Sequence, residues 1–136
     1  MIRPIVKMPV LLSAPSVDAT PLDAAVGQDL LDTLAAHAHE CVGLAANMIG
    51  VRKRIICVKD GNRTLLMYNP QILEQVNAYQ TSEGCLSLIG ERPCTRYRRI
   101  KVEYLDENFV HRIKNFSDYT AEIIQHEIDH CEGILI

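Results

Sequence analysis

Residues 125–133 read QHEIDHCEG, which places two histidines four positions apart with an acid directly after the first. In a helix, side chains at i and i+4 are neighbours, so the rings of His126 and His130 can converge on one point. In the H-E-x-x-H pattern both imidazoles bind a divalent metal, and the intervening acid, here Glu127, acts on the water that the metal activates. The stretch therefore predicts a helical metal site, against the alternative of a charged helix that holds two histidines by chance.

The helix that carries this stretch is predicted to begin at Ser117 or Asp118, which are both good N-caps, and to stop before Gly133. A helical wheel at about 100° per residue separates a core face from a polar face. The core face groups Ala121, Ile124, Ile128 and Cys131, and the polar face groups Glu122, Gln125, Asp129 and Glu132. We expect the polar face to meet solvent and the two histidines to lie at the inner edge of the helix.

A metal held by two histidines needs a third protein ligand if one position is to remain for water. The candidates are Cys85, Cys131, Cys94, His111 and the acidic residues. Cys131 directly follows His130, so its side chain points about 100° away, toward the core. Cys85 lies in EGCLS, where Gly84 permits close backbone approach. Cys85 is therefore the better candidate, although spacing alone leaves the others open.

Upstream of the helix, the periodicity of the apolar residues changes. The segments RIICVKD (54–60) and TLLMYNP (64–70) flank turn residues at 60–62, and IKVEYLD (100–106) and FVHRIKNF (109–116) flank turn residues at 106–108. Each pair predicts an antiparallel hairpin. Residues 21–39 carry the stripe of an amphipathic helix. Short strands between two helices predict one α+β domain that spans residues 1–136.

Composition excludes several classes of protein. The chain has 136 residues and a formal net charge of −3 with both signs mixed, so we expect no direct nucleic-acid or membrane binding. The basic cluster RYRRIK, at 96–101, is interpreted as a solvated strand face. The five cysteines are widely spaced without a C-x-x-C pair, which favours a reducing compartment. No apolar run is long enough for a signal peptide or a membrane span, so we expect a cytoplasmic protein.

Three separated stretches, VGLAANMIG, EGCLS and QHEIDH, resemble the signature motifs of the peptide deformylases and occur in that family's order. The resemblance implies a compact α+β fold, with antiparallel hairpins around a C-terminal metal-binding helix. It implies a hydrolase that removes the formyl group from the N-terminal formylmethionine of newly made peptides. Its partners are then formylmethionyl peptides, including nascent chains at the ribosome. The chain stops six residues after His130, so docking on the ribosome through a C-terminal helix is expected to be absent.

The resemblance also implies roles for individual residues. The metal, iron(II) in the native bacterial enzymes and replaceable by zinc, nickel or cobalt, is held by Cys85, His126 and His130. Glu127 matches the general acid and base, and Leu86 supplies a backbone N–H to the oxyanion. The residues matched to substrate binding are Val42, Gly43, Met48 and Arg92.

The first motif departs from the family pattern G-x-G-x-A-A-x-Q, because Cys41 replaces a glycine and Met48 replaces the glutamine. A thioether cannot donate the hydrogen bond that the glutamine gives to the oxyanion, and one such donor is worth about 10²- to 10³-fold in rate. If the stretch is extended, Asn47 points to the opposite face and does not replace the donor. Reduced activity is therefore expected, and the alternative is a deformylase-like protein with a binding or regulatory role. A general metallopeptidase is a third reading, which EGCLS disfavours.

Overall fold

The computed structural model describes residues 1–136, and its elements follow the predicted α+β class. A short helix opens the chain, and a second helix follows a 3₁₀ turn at Pro21–Asp23. The helices are α1 (Pro9–Leu12), α2 (Ala24–Ala36) and α3 (Asp118–Cys131). The strands are β1 (Gly43–Ala45), β2 (Ile55–Asp60), β3 (Arg63–Cys85), β4 (Leu88–Leu105) and β5 (His111–Ser117). None of the helices has both the length and the apolar character that crossing a membrane requires.

The five strands form one antiparallel sheet in the order β1-β2-β3-β4-β5. Both predicted hairpins are confirmed, since β2 pairs with β3 around Gly61 and β4 pairs with β5. Sequence reasoning missed the longest pairing, in which β3 and β4 run together until Cys85 lies opposite Leu88. Residues 73–78 of β3 are exposed and largely polar, so no periodic pattern marks them as a strand. This long hairpin carries EGCLS to the C-terminal helix.

The core lies between the sheet and the helices α2 and α3, which both pack against β2. Residues 55–58 of β2 are all fully buried. Because successive side chains of a strand point to opposite faces, both faces of β2 must be covered. Helix α2 is shorter than predicted, since it begins at Ala24 and ends at Ala36 rather than near residue 39. Its buried face includes Leu30 and Leu34.

Helix α3 agrees with the prediction at both ends, with Ser117 as N-cap and a left-handed Gly133 at φ 78° after its last turn. Its core face is buried as predicted. The predicted solvent face was wrong, because β4 covers part of it. The side-chain amide of Gln125 is 4% exposed and bonds both the backbone N–H and the carbonyl of Tyr97. The wheel separates the faces of a helix but cannot show which strand will pack on the polar one.

The solvated face predicted for residues 96–101 also needs correction at its first residue. Arg96 is 4% exposed and forms ion pairs with Glu83 and Asp129. The neighbouring Arg98 and Arg99 are exposed, as predicted. A buried guanidinium is stable only when carboxylates neutralise it, and both of these partners lie far away in the sequence.

Candidate metal centre

Three predicted ligands meet where the β3–β4 hairpin reaches α3. The thiol of Cys85 and the rings of His126 and His130 offer ligand atoms that all lie within 4.8 Å of one another. Sγ of Cys85 is 3.4 Å from Nε2 of His130, and the two histidine Nε2 atoms are 3.2 Å apart. In a tetrahedral site with ordinary metal–sulfur and metal–nitrogen bonds, ligand atoms are separated by about 3.3–3.6 Å. The donor set and its spacing therefore fit one divalent metal ion.

The orientation of the His126 ring is fixed by Glu83, whose Oε1 lies 2.8 Å from Nδ1. A carboxylate accepts this bond from Nδ1–H, so Nε2 is the atom left for a metal. Burial alone would raise the pKa of Glu83, but hydrogen bonds from His126 and Arg96 hold it well below its usual range. Glu83 therefore stays ionised and keeps the ring in one tautomer.

Behind Glu83, Arg96 joins β3, β4 and α3 through its guanidinium. Its Nη2 lies 2.7 Å from Oε1 of Glu83, and its Nη1 lies 2.6 Å from Oδ2 of Asp129. Sequence reasoning missed all three members of this network. The signal that could have found Glu83 is its place two residues before Cys85, which in a strand puts both side chains on one face.

His130 is fully buried at the centre of the group. Burial, above all, lowers the pKa of His130 to about 3. The ring is therefore neutral, as a metal ligand must be. On the strand side, the backbone N–H of Ser87 donates to Sγ of Cys85, with the nitrogen 3.4 Å from the sulfur.

Glu127 lies beside the ligand group with its carboxyl group buried, and its Oε1 has no hydrogen-bond partner in the protein. Burial raises the pKa of Glu127 to about 7, which suits a group that takes up and releases a proton near neutrality. A Cβ at Gly43 would lie 2.9 Å from Oε2 of Glu127 and 2.7 Å from Cγ2 of Ile123. Glycine at 43 therefore lets β1 approach the acid closely.

The second half of the first motif is a 3₁₀ turn at Ala46–Ile49, so the argument that assumed an extended stretch does not apply there. Asn47 is buried, and its amide donates a 2.9 Å hydrogen bond to the carbonyl of His130. One N–H of that amide is therefore engaged with the backbone, and Asn47 is not among the residues that line the cavity. Sδ of Met48 lies 3.5 Å from the backbone N of Ala45, and the side chain is buried at the cavity wall.

A cavity of about 520 Å³ opens over the ligand group, between β1, β3 and α3. Of the residues matched to substrate binding or catalysis, it is lined by Val42, Gly43, Met48, Leu86 and Glu127. Arg92, which pairs with Glu83 across β3 and β4, is not among the residues that line the cavity. The thiol of Cys41 also lines the cavity and donates to the carbonyl of Gly43 at 2.9 Å. Burial, above all, raises the pKa of Cys41 to about 12, so it is a neutral thiol.

Comparison with known families gives one consistent result. The family model described as polypeptide deformylase matches residues 2–136. A peptide deformylase of Clostridium beijerinckii is 53% identical over 136 residues, which is 100% of both chains. Peptide deformylase 1 of Clostridium perfringens is 38% identical over 111 residues, which covers 79% of this chain and 74% of the relative.

Solved structures show the same similarity. Peptide deformylase from Thermotoga maritima matches with a TM-score of 0.89 and 28% identity, over 99% of this chain and 95% of that one. A class I type b peptide deformylase from Acinetobacter baumannii, crystallised with Met-Ala-Ser bound, matches with a TM-score of 0.89 and 26% identity. That match covers 99% of this chain and 97% of the other.

Proposed function

The chain belongs to the peptide deformylase family, a group of metal-dependent hydrolases that remove the formyl group from N-terminal formylmethionine, and we propose that Cys85, His126 and His130 hold the metal ion while Glu127 transfers the proton. The observation that carries this assignment is the convergence of one thiol and two imidazoles beside a buried acid. The identity to named deformylases favours an enzyme over the non-catalytic alternative.

We propose iron(II) as the native ion, with zinc, nickel or cobalt able to take its place. One thiolate and two imidazoles suit all of these metals, so availability decides between them. When bound, the ion supplies a Lewis acid that activates water and polarises the formyl oxygen.

The substrate peptide would bind as an extended strand along β1. This strand lies at the edge of the sheet, so one side of its backbone is free to bond a peptide. Val42 and Gly43 form the wall on that side of the cavity, and Gly43 keeps the space beside Glu127 open. The formyl group would then lie between Glu127 and the tight turn that follows Cys85.

Glu127 accepts the proton of the attacking water at Oε1 or Oε2 and delivers it to the departing amine nitrogen. The products are formate and a peptide with a free amino terminus. Proton transfer by a positioned side chain contributes about 10²- to 10⁴-fold in rate. The backbone N–H of Leu86, in the turn after Cys85, donates to the oxyanion that develops from the formyl oxygen.

Oxyanion support is weaker than in the family pattern. Met48 lines the cavity but has no donor, and the amide of Asn47 is bonded to His130. We therefore propose a deformylase whose catalytic step is slower than that of members with glutamine at this position, by up to about 10²- to 10³-fold. A role for Arg92 in binding substrate stays a prediction. We also propose that residues 1–136 act as one domain in the cytoplasm, where newly made peptides begin with formylmethionine.

Formate release from a formylmethionyl tripeptide tests the function. Protein loaded anaerobically with iron(II) should release formate, and Glu127→Ala should reduce kcat by about 10²-fold or more. Glu107→Ala, in the exposed turn between β4 and β5, is a matched control that should leave the rate unchanged. Equal rates for the protein and the Glu127→Ala variant would rule out the proposed proton transfer.

Metal analysis tests the ligand set separately. Cys85→Ala should lose most of the bound metal under conditions in which the starting protein keeps it. Removal of one of the three ligands should lower the metal affinity by about tenfold or more. Cys94→Ala, on the opposite strand of the same hairpin, is the matched control. Retention of stoichiometric metal by Cys85→Ala would exclude the assigned ligand set.

A further inference from the structure

The wall of the cavity carries an unusual distribution of charge. Four acids line it, and no lysine or arginine does. The acids are Glu40, Glu83, Glu122 and Glu127. Glu40 pairs with His37 at 2.6 Å and Glu83 pairs with Arg96 at 2.7 Å, whereas Glu127 is the proton-transfer group. Glu122 is thus the one acid of the wall with neither an ion pair nor a role in the reaction.

Glu122 is half-buried on α3 and meets two side chains. The hydroxyl of Tyr79 donates to its Oε1 at 3.1 Å, and the carboxyl group of Glu83 is its second hydrogen-bonding neighbour. Burial and the neighbouring Glu83 raise the pKa of Glu122, as expected for a carboxyl group without a cation. A carboxyl group in this state gains from a cationic or amide donor that enters the cavity, because a second carboxyl group beside an ionised one is unfavourable without a cation.

Glu122 precedes His126 by one helical turn, so their Cβ atoms are separated by about 5–6 Å along the same face. The formyl carbon must lie at the ligand group that includes His126. Only the amide nitrogen separates that carbon from the Cα of the formylated residue. Glu122 is therefore within reach of an unbranched side chain on this residue that runs along α3, past Tyr119 and Ile123 of the same wall.

We propose that Glu122 determines which side chain is accepted on the formylated residue. It extends the substrate range from methionine to unbranched side chains that end in a hydrogen-bond donor, such as lysine or glutamine. This inference rests on the proposed function and names a substrate class for the same site. An ammonium or amide group donates to the carboxyl group of Glu122, whereas an apolar chain of similar length leaves that group beside Glu83 without a cation or amide donor.

The test compares tripeptides that differ only in the formylated residue, with formylmethionine, formylnorleucine, formyllysine and formylglutamine in turn. In metal-loaded protein, kcat/KM for formyllysine relative to formylnorleucine should fall about tenfold or more in Glu122→Leu, the size of one charge-assisted hydrogen bond. The change should appear in KM, since the contact is the same in the ground state and the transition state. The isosteric Glu122→Gln should lower the lysine preference while it keeps glutamine.

The controls separate this inference from the function on which it rests. Glu107→Leu, outside the cavity, should leave every ratio unchanged, and formate release from formylmethionine shows that each variant is folded and active. Unchanged lysine-to-norleucine ratios in both Glu122 variants, with formylmethionine still processed, would overturn the inference alone. Absence of formate release from every peptide by the starting protein would overturn the proposed function itself.

Discussion

The two ends of β3 are buried for different reasons. At its start, Leu66, Met67 and Tyr68 pack in the apolar core and pair with β2. At its far end, where the strand pairs only with β4, the most deeply buried residue is Glu83, and its neighbours on the inside are ionic or metal-ligating groups. One continuous strand therefore begins in a hydrophobic core and ends in a polar one.

The division between the two ends is visible in the backbone. Register shifts interrupt the β3–β4 pairing near Tyr68 and Ile72, and Asn69 and Asn77 have positive φ angles. Asparagine tolerates this conformation better than most residues. Bulges bend a strand locally, and beyond them β3 pairs only with β4 and meets α3 through the bond between Glu83 and His126. Stability and chemistry can then change independently along one strand.

The largest effect is expected from Arg96→Met, which removes the cation at the polar end of β3. The variant leaves Glu83 buried without its cation, and such a loss costs about 3–5 kcal/mol of unfolding free energy. Urea denaturation of the metal-free protein measures it, with Arg98→Met, at an exposed position of the same strand, as control. A change as small as that of the control would show that Glu83 has another source of charge balance.

Met67→Ala tests the apolar end. Met67 is fully buried, so its truncation should lower the free energy of unfolding by about 2–5 kcal/mol. Metal affinity, measured by competition with a chelator, should stay at the level of the starting protein. Leu73→Ala, at an exposed position of the same strand, is the control. A parallel loss of metal affinity in Met67→Ala would mean that the two ends of β3 are coupled.

Glu83→Gln separates the effect of charge from that of packing at the polar end of β3, because it keeps the size of the side chain and removes its charge. The amide accepts weakly from Nδ1–H of His126, so metal affinity should fall about 10- to 100-fold. Chelator competition gives this value, and the variant Glu91→Gln, near the hairpin tip, provides the reference. If Glu83→Gln kept the metal affinity of the starting protein, packing alone would be enough to orient the ring of His126.

The smallest effect is expected at Asp106, in the turn between β4 and β5. Its carboxylate accepts from the backbone N–H groups of Val110 and Asn108, and these bonds together with Arg112 hold its pKa below the usual value. A lowered folded-state pKa contributes stability that is present above the unfolded pKa and is lost as the pH falls through the folded one. The melting temperatures of the protein and of Asp106→Asn should therefore differ slightly at neutral pH and converge in acid. A constant difference at every pH would indicate that the charge of Asp106 is irrelevant.

What could be predicted from sequence was local. The span of α3, its Gly133 stop, the inward histidines and two hairpins all follow from short-range patterns. The remaining features depend on partners that are distant in sequence. Arg96 and Gln125 look like surface residues until β4 packs on α3, and residues 73–78 are too exposed to show a strand pattern. The turn that holds Asn47 is stabilised by its bond to His130, which no local pattern reveals.

The hydrogen bond between Asn47 and His130 joins residues 83 positions apart, and the bond between Glu83 and His126 joins residues 43 positions apart. Closing such long loops is entropically unfavourable, so contacts of this kind form slowly compared with helices and tight hairpins. We therefore expect the three ligands to come together late in folding, when α3 docks on the sheet. Metal affinity should then appear during refolding after the gain of secondary structure, and its rate of appearance would measure the docking step.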